Sequence, residues 1–358
     1  MKFKFEEIYD VIKGEIRSLP TGTRLPRVRD LMSEHDAAQI TIQKVLDRLE
    51  EENLISRLTG RGIFKSDGKK VVKIPVQKKI LLALPMHPSP FFDSFANSFL
   101  NMTKGGNYVP AITRYNVFDP IGKWIPGNAK YDGIIIVPPG VQLKIEMINE
   151  LKKLECPMVV VDRYFNGFDF DCVCTDNLAG GALAAEHFRK INCRKTAVLV
   201  AEPEVSTVID RITSFSRQMK IYGFDEPVII NANTKIGEFS SKKAYGELTS
   251  YIRKNGIGFN GIFCVSDPCA LGAMKALHDL KMKIPEEVGV IGYDDMVFSE
   301  FFHPSLTTVR QDIEKIAKMS IDIIDRKFNG GKEKTYQLLV PPELIVREST
   351  LEVQDGKK

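Results

Sequence analysis

Several apolar runs of the chain end in groups that could hold a small hydroxylated molecule: Pro88 to Asp93, Pro138-Pro139, Asp162-Arg163, Asp176-Asn177, Ser266-Asp267 and Asp294-Asp295. Carboxylates and arginine exchange paired hydrogen bonds with vicinal hydroxyls, and an aromatic face packs on the apolar C–H side of a sugar ring. A strand-end aspartate also caps the helix after it, and Asp176 before "NLAGG" and Asp267 before "PCALG" are expected to be such caps. A second chemistry lies near the amino terminus. In "AAQITIQKVLDRL", Ala37 to Leu49, the residues Ile42, Val45, Leu46 and Leu49 recur at helical spacing. Gln39, Gln43, Lys44 and Arg48 are left on the other face. Glutamine amides suit bidentate contact with adenine, and basic groups neutralise phosphates.

Signals for catalysis are absent from the sequence. No Gly-x-Gly-x-x-Gly follows the first strand-like run, and there is no Walker loop and no Gly-x-Ser-x-Gly. The histidines His35, His87, His187, His278 and His303 are scattered without metal-ligand spacing. The cysteines Cys156, Cys172, Cys174, Cys193, Cys264 and Cys269 form no Cys-x-x-Cys pair, so buried reduced thiols are expected. A protein without enzymatic activity, metal or cofactor is the expectation.

The elements that must position these groups fall into two parts. Phe5, Ile8, Ile12 and Ile16 mark a first helix that stops at "LPTG". A second begins after Pro26, with Val28, Leu31 and Met32 inward, and the third carries the stripe described above. "LISRLTGRGIFK" reads as two short strands around Gly60-Arg61-Gly62, a hairpin with arginine at its tip. Helix, helix-turn-helix and hairpin make an α+β winged helix-turn-helix domain over residues 1–66. The stretch "KSDGKKVVKIPVQKK" breaks the pattern, and 67–78 reads as a linker. From Lys79 onward, runs such as "KILLALP", "DGIIIVP", "PMVVVDR" and "TAVLVAE" alternate with amphipathic helices. That alternation implies parallel sheets covered on both faces, with ligands bound beyond the carboxyl ends of the strands.

Composition agrees with this division. A chain of 358 residues suits two or three domains. Its 43% hydrophobic and 27% charged content is that of a globular protein, and a net charge of +4 permits a nucleic-acid partner without requiring one. The acid-bearing start "MKFKFEEIYD" and the lack of a long apolar run predict a cytoplasmic protein with no membrane partner.

"LPRVRDL", "TIQKVLDRLEEENLI" and "GRGIF" resemble the amino-terminal domain of the GntR family of bacterial transcription regulators. The resemblance implies double-stranded operator DNA as partner, with Arg24, Arg27, Arg29, Lys44, Arg48 and Arg61 toward phosphates and Gln39, Thr41 and Gln43 on the reading helix. The chain departs from the family in having Ala38-Gln39 where Ser-Arg often opens that helix, and Gln43 where arginine is frequent. An operator less dependent on guanine follows.

"CVCTDNLAGGALAAEHF", "GIFCVSDPCALGAMKALHDLKMKIPEEVGVIGYDD" and "HPSLTTVRQD" resemble the effector domain of the lactose and galactose repressor family, which is similar to periplasmic sugar-binding proteins. The resemblance implies an α/β periplasmic-binding-protein-like domain of two subdomains over 79–350, with a cleft between them, three hinge crossings and dimerisation. The crossings would fall near Arg163, Leu306 and Gly331, so that 79–162 and 309–330 form one subdomain and 163–308 and 331–350 the other, with 351–358 a tail. Family ligand contacts fall on Phe91, Phe92, Asp162, Thr207, Arg211, Phe239, Ser266, Asp267 and Asp294. Ser266 stands where sugar-binding members often have asparagine, and a loop rich in proline and glycine around Trp124 replaces an expected helix. Trp124 is either a lid over the cleft or a packing anchor. The pairing of these two domains resembles arabinose-responsive repressors: a dimeric, ligand-responsive repressor of carbohydrate genes, with a monosaccharide or a derivative as effector. The rival readings are a solute-binding protein of periplasmic type and an α/β enzyme without DNA binding.

Overall fold

The computed structural model describes residues 4–58, 62–67, 77–104, 107–126, 130–139, 145–164, 169–203, 205–329 and 335–350. The chain divides into two compact units, Met1–Val76 and Gln77–Lys358. Most of the expected linker, the wing tip with Arg61, the expected crossing at Gly331 and the tail 351–358 lie outside the described residues.

In the first unit, α1 (Lys4–Ser18), α2 (Val28–Glu34) and α3 (Gln39–Glu51) precede the strands β1 (Ile55–Leu58) and β2 (Gly62–Lys65). The strands pair antiparallel, Ile55 opposite Lys65 and Leu58 opposite Gly62. The apolar stripe of α3 is buried against Ile8, Ile12 and Ile16 of α1 and Leu31 of α2. Stripes at i, i+3, i+4 and i+7 lie along one side of a helix, so three short helices suffice to enclose a core. Tyr9 of α1 donates to the Glu52 carboxylate just after α3, and Lys13 pairs with the same group at 2.6 Å. Arg57 of β1 binds Asp47 and Glu50 of α3, fixing the hairpin to the helix.

The second unit opens with β3 (Lys78–Pro85), α4 (Pro90–Thr103), β4 (Tyr108–Tyr115), α5 (Ile121–Trp124), β5 (Gly133–Ile136), α6 (Ile145–Lys152), β6 (Met158–Val161) and β7 (Asp171–Thr175). It continues with α7 (Asn177–Lys190), β8 (Thr196–Val200), α8 (Ser206–Ile221), β9 (Val228–Asn231), α9 (Ser240–Asn255), β10 (Gly261–Cys264), α10 (Asp267–Asp279), β11 (Gly289–Asp294) and β12 (Thr307–Arg310). Last come α11 (Ile313–Phe328), β13 (Gln337–Val340) and β14 (Glu343–Ile345). One six-stranded sheet runs β13-β7-β6-β5-β3-β4, and the other β14-β12-β11-β10-β8-β9. All described pairings are parallel except that of β12 with β14. Successive residues of a strand face opposite sides: Ile80, Leu82 and Leu84 of β3 pack under α4 and α11, while Leu81 and Ala83 pack on the other face with Trp124.

The subdomain boundaries differ from the sequence expectation. β7 and β13 belong to the first sheet and β12 to the second, so the crossings fall between Thr175 and Asn177, Arg310 and Ile313, and Val340 and Glu343. They are not at Arg163 or Leu306. Which sheet a strand joins is set by distant partners, such as Gln337 opposite Cys172, and no local pattern carries that.

Trp124 is a packing anchor: it is fully buried and stacks on Tyr115 at 4.5 Å between ring centroids. Gly181 lets α7 and α8 approach closely, since a Cβ there would lie 2.4 Å from the backbone oxygen of Arg211. Gly181→Ala is expected to force these helices apart at a cost of about 1–3 kcal/mol. A thermal melt should show it as a lower midpoint, about 2–4 °C for each kcal/mol.

Candidate functional site

The strands of the two sheets end at a common cavity of about 350 Å³. From the first sheet it receives His87 and the start of α4 after β3, Pro139 after β5, and Asp162 and Arg163 after β6. From the second it receives Glu202 after β8, Ser266 after β10 and Asp294 at the end of β11. Loops at the carboxyl ends of parallel strands have no crossover helix filling them, which is why such sheets bind ligands there.

The walls are of two kinds. Phe91 and Phe92, at the start of α4, are core residues that also line the cavity, and exposed Phe239 stands before α9. Against these stand two arginines, Arg163 and Arg211, and four carboxylates, Asp162, Glu202, Glu238 and Asp294. Arg211 lies on the first turns of α8, on one face with Thr207 four residues earlier. Its Nε donates to Asn177 Oδ1 at 2.8 Å and its Nη1 to the Val265 carbonyl at 2.7 Å, and the guanidinium lies 3.6 Å from the Tyr293 ring centre. These contacts hold it 3.6 Å from Asp294 Oδ1. Arg163 donates to the Pro138 carbonyl and sits 3.6 Å from Asp162 Oδ2. Asp162 and Asp294 both have left-handed backbones, φ 69° and 115°. For residues other than glycine such conformations cost energy and gather where a side chain must be aimed.

Burial sets the electrostatics. It pushes the Asp162 and Asp294 carboxyls up against the pull of the arginines. Glu202 is pushed up likewise, opposed by its hydrogen bonds from Ser266, at 2.6 Å, and Ser240. His87 is lowered to about 4, first by burial and then by Arg163 and Arg114, so its imidazole is neutral at pH 7. The cleft thus offers donors, acceptors and aromatic faces at fixed positions, suited to a polyhydroxylated molecule.

Of the residues expected to touch ligand, Phe91, Phe92, Asp162, Thr207, Arg211, Phe239, Ser266 and Asp294 line this cavity. Asp267 does not. It is fully buried, its Oδ2 accepting from Met296 N at 2.8 Å and Ser299 Oγ at 2.6 Å, and its Oδ1 from Thr308 Oγ1 at 2.6 Å. Nor does its side chain cap α10: Ser266 Oγ accepts from Cys269 N at 3.2 Å, whereas Asp176 caps α7 as expected. An apolar strand end signals that polar groups gather there but not which way each one turns.

Polar lining residues that were not among the expected ligand contacts include His87, Arg163, Glu202 and Gln311. Arg163 was legible as a strand-end residue. Gln311 lies in a crossing whose place the sequence did not reveal. Its Nε2 donates to Asp294 Oδ1 at 2.7 Å, and its Oε1 accepts from Thr175 Oγ1 at 2.5 Å, joining the cleft to two of the three crossings.

The first unit carries a different surface. Gln39, Gln43 and Lys44 of α3 are exposed, Thr41 is half-buried, and Arg24, Arg27 and Arg29 before and within α2 are exposed. Arg48, expected with them, is also exposed, with its guanidinium 4.3 Å from the Tyr9 ring centre and 3.6 Å from Glu52. Nine residues beyond Gln39 is two and a half turns, so Arg48 stands half a revolution from Gln39 and one turn beyond Lys44. Ile40, which the apolar pattern passed over, is 69% exposed among the polar residues. Among the described residues no group of His, Cys, Asp or Glu is placed to hold a metal ion, and no helix is long and apolar enough to cross a membrane.

A winged helix-turn-helix and a cleft between two parallel sheets define a ligand-responsive transcription regulator, and comparison with known proteins agrees. Residues 4–64 match the bacterial regulatory proteins of the gntR family, and residues 185–350 the periplasmic binding protein-like domain. The chain is a GntR-family helix-turn-helix domain joined to a periplasmic-binding-protein-like domain. It is 25% identical over 332 residues to the ribose operon repressor of Halalkalibacterium halodurans, covering 90% of this chain and 96% of that one. With the arabinose metabolism transcriptional repressor of the same organism it is 24% identical over 381 residues, 98% of this chain and 99% of that one. A LacI family transcriptional regulator from Enterococcus faecium, solved with bound ribose, has the same fold as 76% of this chain, with a TM-score of 0.66, 24% identity and 98% of its own length covered.

Proposed function

We propose that this protein is a cytoplasmic, homodimeric repressor of carbohydrate-utilisation genes, without enzymatic activity, whose operator affinity falls when a monosaccharide occupies the cleft. The observation that carries the reading is the Gln311 bridge. A ligand that hydrogen-bonds Asp294 or Gln311 competes directly with contacts that set the crossings, so occupancy and hinge geometry share one network. A coupling of about 1–3 kcal/mol alters DNA affinity roughly 5 to 150-fold.

Exposed apolar residues at the sheet edges support dimerisation. Val109 and Ile112 on β4, and Val228 and Ile229 on β9, occupy the outermost strands of the two sheets. Unpaired apolar edges of this kind are covered by a partner in stable proteins.

Two measurements test the proposal. In a thermal-shift screen that begins with D-ribose and L-arabinose, a sugar at 100 times its Kd should stabilise the protein by about 2.7 kcal/mol. In binding to duplexes selected from a random pool, affinity should fall steeply with salt and fall again when that sugar is added. Absence of sequence-preferring, salt-sensitive binding sinks the regulator reading; absence of stabilisation by any monosaccharide sinks the choice of effector.

A further inference from the structure

The exposed isoleucine of α3 has no function in the fold. The core of the first unit takes Ile42, Val45, Leu46 and Leu49 from this helix and leaves Ile40 out, 69% exposed. β-branched residues are weaker helix formers than the lysine or glutamine that a solvated position would favour. At 100° per residue Ile40 stands between Gln43 and Lys44, the exposed residues three and four positions on. Exposed Arg24, Arg27 and Arg29 belong to the same unit. An apolar side chain amid amides and cations fits a polyanion that carries one apolar group at reading distance. In the major groove of DNA the C5 methyl of thymine is that group.

We propose that Ile40 reads a thymine methyl, which makes the recognition helix a reader of A·T pairs, with Gln39 or Gln43 on an adenine. The inference rests on the DNA-binding reading above and goes beyond it by assigning the chemical group recognised. Ile40 is then the source of a preference that no hydrogen bond supplies. An RNA duplex would not be read this way, because uracil lacks the methyl and the major groove of an A-form helix is too narrow for side chains to read.

Replacing thymine with deoxyuridine removes that methyl and nothing else. The full-length protein is used to select duplexes from a random pool, and each thymine of the selected site is then replaced singly. Fluorescence anisotropy at fixed salt should show an affinity loss of about fourfold at one thymine of each half-site, the worth of one buried methyl group. Ile40→Ala should bind the parent duplex more weakly by a similar factor and show no further loss on that replacement. Alanine is the better helix former, so an unchanged melting temperature is expected and separates this effect from unfolding. Indifference of the wild-type protein to deoxyuridine at every position overturns the inference. So does an Ile40→Ala variant that keeps the full sensitivity, or one whose change is in self-association alone. If no duplex is bound above random sequence, the DNA-binding reading falls and this inference with it.

Discussion

Arg211→Ala is expected to weaken effector binding by about 2–5 kcal/mol, roughly 30 to 5,000-fold, while operator affinity without sugar stays within a few-fold of wild type. Arg211 is 5% exposed and every contact it makes faces the cleft or supports its wall: the Asn177 amide, the Val265 carbonyl, the Tyr293 ring and the Asp294 carboxylate. Without it Asp294 loses the cation that opposes burial, and its carboxyl rises further, toward the protonated form. The site then lacks its guanidinium donor, and the Asn177 and Val265 oxygens lose the group they accept from. Titration calorimetry with the sugar found by the thermal screen reads the loss, and anisotropy with operator reads the retained function. Arg211→Lys should recover only part of the affinity, since an ammonium cannot span Asn177 and Val265 while also facing ligand. Equal loss of sugar and operator binding by both variants would make Arg211 a folding residue.

Asp267→Ala should show the opposite division. Its carboxylate is the shared acceptor for Met296 N, Ser299 Oγ and Thr308 Oγ1, holding the segment after β11 against β12. Burial pushes this carboxyl to about 6 even so, the cost of keeping it away from water. Gly292 leaves it room, for a Cβ at that position would lie 2.3 Å from Asp267 Oδ1. Alanine leaves three buried donors without an acceptor, a loss of about 3–5 kcal/mol. The thermal midpoint should fall by roughly 6–20 °C. At a temperature where the variant remains folded, its sugar affinity should stay within a few-fold of wild type. A variant that melts normally and fails to bind sugar would return Asp267 to the ligand site, where its place in the motif had put it.

These two residues show how far the chain could be read unaided. Both stand in motifs legible in the sequence, and both were expected at the ligand. Arg211 reaches the cavity because Asn177 and Val265 hold it there; Asp267 turns inward because Met296, Ser299 and Thr308 offer it donors. No spacing rule separates them, because the partners lie 29 to 54 residues away. Arg48 follows the polar pattern of α3 and is exposed, yet the contact of its guanidinium with Tyr9 was not legible either, since that partner lies 39 residues away.

The division into a winged helix-turn-helix and an α/β domain, the strands that fill the sheet centres and the gathering of polar groups at their ends were all legible. They depend on burial alternation and helical stripes, which are properties of neighbouring residues. The crossings were not. β7, β12, β13 and β14 each take their place from pairing across the chain, as when Thr308 meets Ile345 and Cys172 meets Gln337. The Gln311 bridge follows from those pairings, because its two partners lie 17 and 136 residues away and meet it where the chain crosses between the sheets.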